Sequence, residues 1–444
     1  MAGSSYDNGM QWGLGQRMLS RRSVLQLLSG AAAATAISAC AEVSSSSSIS
    51  AADDAFLDDM QRRAALYFWE QADAASGQVL DRAYALNTDG KLHSVRPLSS
   101  IAATGFGLTT LCIADKRGYM PHDAIVTRVR NTLEFHLNKL PNVHGFFSHF
   151  NNVCSGAAAS GSEISSIDTS ILLCGVLTAR AYFGDPQITD MATKIYERVD
   201  WPWMLNGGNT FSMGFLNGKF IPTRWDHYCE LMMIYLLAIG SPTHPVAAST
   251  WDNFTRPTIS FDGFQFIGQA GDSLFVHQYS HAWFDFRYKK DKYADYFANS
   301  IVATRAHKAF CLALKMGYTD DYWGLTASDM PSGYGSWGGP PGFGPIDGTV
   351  VPCATAGSLP FLPVDCMRVQ RSLKQTWGDK VYLRYGYRDA VHPATNWYDT
   401  DVLGIDLGIS ALMAENVRSG FVWSTFMQNP EAGKAMGMCG FKGI

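Results

Sequence analysis

Leu231-Met232-Met233-Ile234-Tyr235-Leu236-Leu237-Ala238-Ile239, with Glu230 directly before it, is the stretch on which the fold reading turns. It is uniformly apolar, so neither the period of a surface helix nor the alternation of a half-buried strand applies. It exceeds the length of an ordinary strand, which leaves a helix buried on every side. Four further runs read the same way: Ile101 to Ala114, Ile171 to Tyr182, Ile301 to Leu314 and Ile405 to Val417. Amphipathic stretches with charged faces lie between them: Phe56 to Ala72, Asp123 to Lys139, Thr189 to Arg198 and Val364 to Trp377.

A buried helix thus recurs about every 60 residues behind a more polar one, with no visible sequence repeat. Buried helices inside a ring of amphipathic ones make an all-α (α/α)6 barrel. A parallel βα fold would require regular strands, which the pattern does not offer. No linker divides the region, so residues 53–444 are expected to form one catalytic domain. The Gly/Pro-rich segment Gly333 to Gly348 reads as a functional loop, with Tyr334, Trp337 and Phe343 placed to line a cleft.

The N-terminal segment reads as targeting signal. Arg21-Arg22 precede the Ala-rich apolar run Val24 to Ala39, which is too short and small-sided to span a membrane. Ile37-Ser38-Ala39-Cys40 resembles a lipobox. Residues 1–39 are therefore expected to be a twin-arginine lipoprotein signal and Cys40 the lipidated residue. Residues 40–52, with Ser44 to Ser48, form a polar tether. This implies an exported, periplasmic protein held to a membrane by lipid. The other eight cysteines contain no CxxC pair, which argues against a structural zinc site; one or two disulfides are compatible with their number.

With 47% hydrophobic residues the chain can bury a large core, and a net charge of −4 without a basic stripe argues against nucleic acid as a partner. No GxSxG elbow or Walker loop is present. His277 and His281 share metal-ligand spacing but lack the glutamate of HExxH, so hydrogen bonding is expected of them and no metal or cofactor is assigned. Many of the 12 Trp, 19 Tyr and 25 Phe belong to the core, and Trp and Tyr beyond the core's needs would suit the C–H faces of sugar rings in a cleft.

Three acids stand at the starts of buried runs: Asp168 before Ile171, Glu230 before Leu231, and Asp406 before Leu407. In a helical barrel these ends converge on one mouth. Glycoside hydrolysis needs two such carboxyls, one protonated and one ionised. Helix capping and the macrodipole offer a competing account of each acid on its own.

Five blocks carry a resemblance to the bacterial glucoamylase-like domain, glycoside hydrolase family 144 in particular. They are Gly161-Ser162-Glu163-Ile164-Ser165-Ser166-Ile167-Asp168-Thr169; Trp225-Asp226-His227-Tyr228-Cys229-Glu230, running on to Pro245; Gln278 to Arg287; Trp323-Gly324-Leu325-Thr326-Ala327-Ser328-Asp329; and Leu403 to Gly408, continuing to Trp423. The resemblance implies a cofactor-free, monomeric endo-β-1,2-glucanase that inverts the anomeric centre and releases sophoro-oligosaccharides. By motif match Glu230 is the general acid and Asp406 the base, with Asp401 as its rival. Glu163 and Asp168 are expected to bind sugar or support the pair. His281, Trp283, Asp285, Arg287, Tyr334, Trp337 and Glu415 complete the candidate substrate contacts. Cys229 stands where the family often has Ser, and Leu407 where a polar residue is common. An exo-acting enzyme, a transglycosylase, or a non-catalytic glycan-binding lipoprotein fits the same features; a binder alone would not need Glu230 and Asp406.

Overall fold

The computed structural model describes residues 49–92 and 97–444. Arg21, Arg22, Cys40 and the signal and tether assigned to residues 1–48 lie outside the described residues. Ser50 already caps a helix, its Oγ accepting the Asp53 N–H at 3.1 Å, so helix replaces the last two residues assigned to the tether. In chain order the helices are α1 (Ala51–Glu70), α2 (Ile101–Lys116), α3 (His122–Asn138), α4 (Ser166–Phe183), α5 (Pro186–Glu197), α6 (Trp201–Leu205) and α7 (Met232–Gly240). They continue with α8 (Tyr279–Trp283), α9 (Tyr296–Ala313), α10 (Pro352–Ala356), α11 (Pro363–Trp377), α12 (Gly404–Ser419), α13 (Phe421–Phe426) and α14 (Pro430–Met438). Among the described residues the strands are two to four residues long and pair into two- or three-stranded ribbons.

Six helices close an inner ring. α2 packs between α4 and α12, α4 continues to α7, and α12 meets α8 and α10. Ser280 of α8 joins the start of α7, donating to the Glu230 carbonyl at 2.7 Å and accepting the Met233 N–H at 3.0 Å. Gln278, just ahead of α8, donates to the Ala354 carbonyl of α10 at 2.9 Å. The outer layer is α1, α3, α5, α9, α11 and α14, so the expected (α/α)6 barrel is the fold. Outer and inner helices alternate along the chain except between α7 and α8. There the hairpin Thr258–Phe261/Phe264–Ile267 intervenes, and the C-terminal α14 packs behind α7.

The inner helices are apolar because both sides face protein: every residue of α7 is buried. α2 and α4 approach so closely that a Cβ on Gly105 would meet the Ile171 carbonyl oxygen at 2.4 Å, and one on Gly175 the Gly105 oxygen at 2.1 Å. Only glycine permits that contact.

One helix differs from expectation. The run Ile301 to Leu314 predicts a helix buried on both sides, but α9 is an outer helix that buries a single face (Asn299, Ala303, Ala306, His307, Phe310), while Arg305 is exposed. Of its partly buried apolar residues, Val302 packs in the cluster formed with the hairpin's Ile259, Phe264 and Phe266, while Phe297, Ile301 and Leu312 pack on the main core. The inner positions nearby belong to α8 and α10, five residues each. Helices that short leave no periodic signal in the sequence.

Candidate active site

The N-terminal ends of α4, α7, α8, α10 and α12 bring distant carboxyls to one mouth. None of the three acids found by position serves as its helix's cap. Ser165 caps α4, accepting the Asp168 N–H at 3.2 Å, and α7 and α12 have no side-chain cap. The acids are thus not explained by capping.

On one side stands Glu230, half-buried in the turn before α7. Burial, with the charge of Asp168 adding to it, pushes its carboxyl up to about 7. At neutral pH a large fraction therefore keeps its proton. Beside it, His149 Nδ1 lies 3.2 Å from Glu163 Oε1 and Nε2 3.5 Å from Asp168 Oδ1. Burial opposes charge on the imidazole, but these two carboxylates overcome it and raise His149 to about 9. Asp168 is raised by burial despite that partner; burial also pushes Glu163 up, but the bond and the charge of His149, with a backbone hydrogen bond, together outweigh it and lower that carboxyl. His149 also stacks on Phe150 with ring centroids 3.7 Å apart.

On the other side Asp406 sits in the first turn of α12, and burial raises its carboxyl. It touches Asp389 and the Cys353 thiol. Arg82 gathers neighbouring acids, at 3.2 Å from Asp81, 2.9 Å from Asp329 and 3.8 Å from Asp401, with its guanidinium 5.8 Å from the Tyr334 ring centroid. Pairing of strand Arg82–Tyr84 with Asp401–Leu403 sets this register. Tyr279 links the two sides: burial, then the charges of Asp406 and, more weakly, Glu230 raise its phenol. The arrangement offers one carboxyl that holds its proton up to near neutrality and a second, deeper carboxyl, both within electrostatic reach of Tyr279. Such a pair can donate a proton and accept one.

Glu163, Asp168, Glu230, Tyr334, Asp401 and Asp406 are brought together; six other expected substrate contacts are not. Trp283 is fully buried and donates to Thr109 Oγ1 at 3.0 Å; Trp337 is fully buried and donates to Ser328 Oγ at 3.1 Å. His281 packs among Phe286, Phe297 and Phe361, and burial drives it down to about 3. Asp285 and Arg287 follow the C-terminal end of α8, bound to each other at 2.9 Å under Trp423. Glu415 is fully buried against Arg117, at 2.8 Å, and Gln61. It lies nine residues beyond Asp406, about 13 Å down the helix from the mouth. In each case burial or the wrong helix end removes the side chain from the cleft.

Sequence reasoning passed over His149, Asp81, Arg82, Asp272, Asp329, Asp389 and Asp399. None of them precedes a long apolar run; Asp329 alone lay within a quoted motif. Asp272, near Glu230, is pushed up to about 7 by burial and by that neighbour, despite the Gln269 N–H donated to it.

Among the described residues, two groups present ligand atoms within 4.8 Å of one another: His149, Glu163 and Asp168, and Asp329, Asp389 and Asp399. In the first, His149 already lies between the two carboxylates, 3.2 Å from Glu163 and 3.5 Å from Asp168. All eight described cysteines are free thiols.

The Glycoamylase family model matches residues 222–430. The exo-β-1,2-glucooligosaccharide sophorohydrolase (non-reducing end) of Parabacteroides distasonis is 25% identical over 436 residues. The match covers 86% of this chain and 57% of that protein, so the chain spans little more than half of that relative's length. The endo-β-1,2-glucanase of Chitinophaga pinensis, in complex with sophorotriose and glucose, superposes with a TM-score of 0.80 at 26% identity, covering 88% of this chain and 98% of that one. The endo-β-1,2-glucanase of Talaromyces funiculosus, in complex with sophorose, has a TM-score of 0.61 at 12% identity over 86% of this chain and 90% of that one, a likeness of fold alone.

Proposed function

We propose that this (α/α)6-barrel chain, which is similar to the glucoamylase-like proteins, is an endo-acting hydrolase of β-1,2-linked glucan. The observation that carries the reading is Glu230: a half-buried carboxyl pushed up to about 7 at the barrel mouth, across Tyr279 from Asp406. The similarity to the Parabacteroides and Chitinophaga enzymes supplies the linkage.

In this proposal Glu230 protonates the glycosidic oxygen as the leaving chain departs. Asp406 takes a proton from water as the water oxygen bonds to the anomeric carbon on the opposite face, so the configuration inverts. Glu163 and Asp168, braced by His149, accept hydrogen bonds from sugar hydroxyls, as does Asp401. Tyr334 offers its ring to a sugar face. The roles draw on this chain's own side chains and no cofactor. The chain acts as a monomer, exported through Arg21-Arg22 and held by lipid on Cys40 at the periplasmic face of a membrane.

The test is incubation of the purified protein with linear and cyclic β-1,2-glucan and with β-1,3- and β-1,4-glucans. Products are sized by chromatography and the new anomer identified by proton NMR. A spread of sophoro-oligosaccharides, released as the α-anomer from linear and cyclic chains alike, is expected. Sophorose alone, with cyclic glucan untouched, would make the enzyme exo-acting. Cleavage of another linkage in preference to β-1,2 would overturn the substrate assignment.

A further inference from the structure

Asp389 follows strand Gly386–Tyr387 and lies 4% exposed behind the Asp406 carboxyl. Its backbone N–H donates to the Asp401 carbonyl at 3.1 Å. Its side-chain Oδ2 accepts the Asp329 N–H at 2.7 Å. Its Oδ1 receives no N–H or hydroxyl donor, and neither does Asp406 Oδ2. These two buried carboxyls are in hydrogen-bond contact with each other. Two acceptor oxygens that meet without a donor repel, and leaving both unsatisfied is costly. One proton between them resolves both at once.

We infer that Asp389 is a positioning residue, a protonated carboxylic acid whose Oδ1–H donates to Asp406 and keeps that carboxylate ionised and aimed. The inference rests on the proposed role of Asp406 as base. The surroundings say which partner holds the proton. Asp389 is faced by Asp406 on α12, by Asp329 on strand Ser328–Met330, by Asp399, and by Cys353 on α10; Tyr334 and Arg82 stand in its field. Burial, then Asp406, raise its carboxyl well above the ordinary range. Asp406 is raised by burial too, but bonds from Asp389 and Cys353 pull it back. Arg82 turns to Asp81 and Asp329 instead. The pair borders a cavity of about 20 Å³ that also includes Met60, Ala64 and Leu407. That is room for about one water, so bulk solvent does not replace the donor.

The test compares Asp389→Asn with Asp389→Leu in the full chain on β-1,2-glucan, with Asp406→Asn as the control for the base itself. The amide reproduces both bonds, its oxygen accepting the Asp329 N–H and its NH₂ donating to Asp406. Asp389→Asn should therefore keep kcat/KM within about tenfold and leave the acid limb of its pH profile in place. Asp389→Leu should move that limb up by about one pH unit or more and lower kcat over tenfold at pH 6, with KM little changed. Infrared difference spectra of wild type against Asp389→Asn at pH 7 should show the carbonyl stretch of one protonated carboxylic acid lost, a readout that requires neither turnover nor the leucine variant to fold. An Asn variant as impaired as Leu, or no acid band lost, would overturn the inference. So would an unmoved acid limb in a folded Leu variant, which would leave the cavity water as the donor. Turnover retained in Asp406→Asn would instead defeat the proposed base, while the infrared band would still report on the Asp389 proton.

Discussion

Glu230→Gln separates chemistry from stability because the structure predicts opposite signs for the two. The amide keeps the shape of the side chain but carries no transferable proton. General acid assistance contributes about 10² to 10⁴ in rate, so glucan turnover should fall by that factor, and aryl glycosides with good leaving groups should suffer less. Stability should move the other way. The folded protein holds this carboxyl at about 7 against an ordinary 4.5. A raised carboxyl contributes its stability below the unfolded value and loses it as pH climbs through the folded value. In the wild type the loss accrues between about pH 4.5 and 7 and is complete above 7. It amounts to at most about 3 kcal/mol, less where solvent reaches the side chain. Glutamine never ionises and escapes it. For a domain of this size, about 3 kcal/mol corresponds to roughly 3–4 °C in Tm. Calorimetric scans at pH 4 and pH 8 on both proteins measure it: matching Tm at pH 4, with the variant higher at pH 8. A variant less stable at pH 8, with near-normal glucan turnover, would show Glu230 to be structural and refute the reasoning.

The alkaline limb of wild-type kcat/KM should fall near pH 7, as Glu230 loses its proton, and a plateau extending past pH 9 would contradict the assigned acid. Gly175→Ala should cost about 3 kcal/mol or more, because its Cβ would stand 2.1 Å from a backbone oxygen in the tightest helix contact; urea unfolding checks it, and a loss below 1 kcal/mol would mean that α2 and α4 separate easily. Cys40→Ala should free the protein from the membrane fraction and Arg21→Lys with Arg22→Lys should block export, as fractionation and acyl mass on the native chain would reveal. Chelation with EDTA should leave glucan turnover unchanged, and a loss restored by calcium or zinc would reassign one of the two carboxylate clusters as a metal site.

Apolar runs and the acids ahead of them were legible in the sequence, because a helix buried on both sides has to be apolar throughout. That reading located α2, α4, α7 and α12 and, with them, Asp168, Glu230 and Asp406. It misjudged α9, where a surface hairpin shelters residues that would otherwise be exposed, and it had no means of seeing α8 or α10, each under two turns long. The motif blocks named His281, Trp283, Asp285, Arg287 and Glu415 along with the acids, since a block marks membership in a fold without saying which end of the barrel each residue occupies; Trp337 was named from its Gly/Pro-rich loop, whose composition does not say which aromatic turns inward.

Sequence by itself determined that helices form, that they nest, and that carboxyls sit at their starts, since these follow from local composition and the solvent each segment can tolerate. Tertiary structure decided which acids are neighbours. His149 reaches Glu163 and Asp168, and Arg82 reaches Asp329, 247 positions away. Ionisation depends on burial and on charges a few ångströms off, and those distances exist only once the ring has closed.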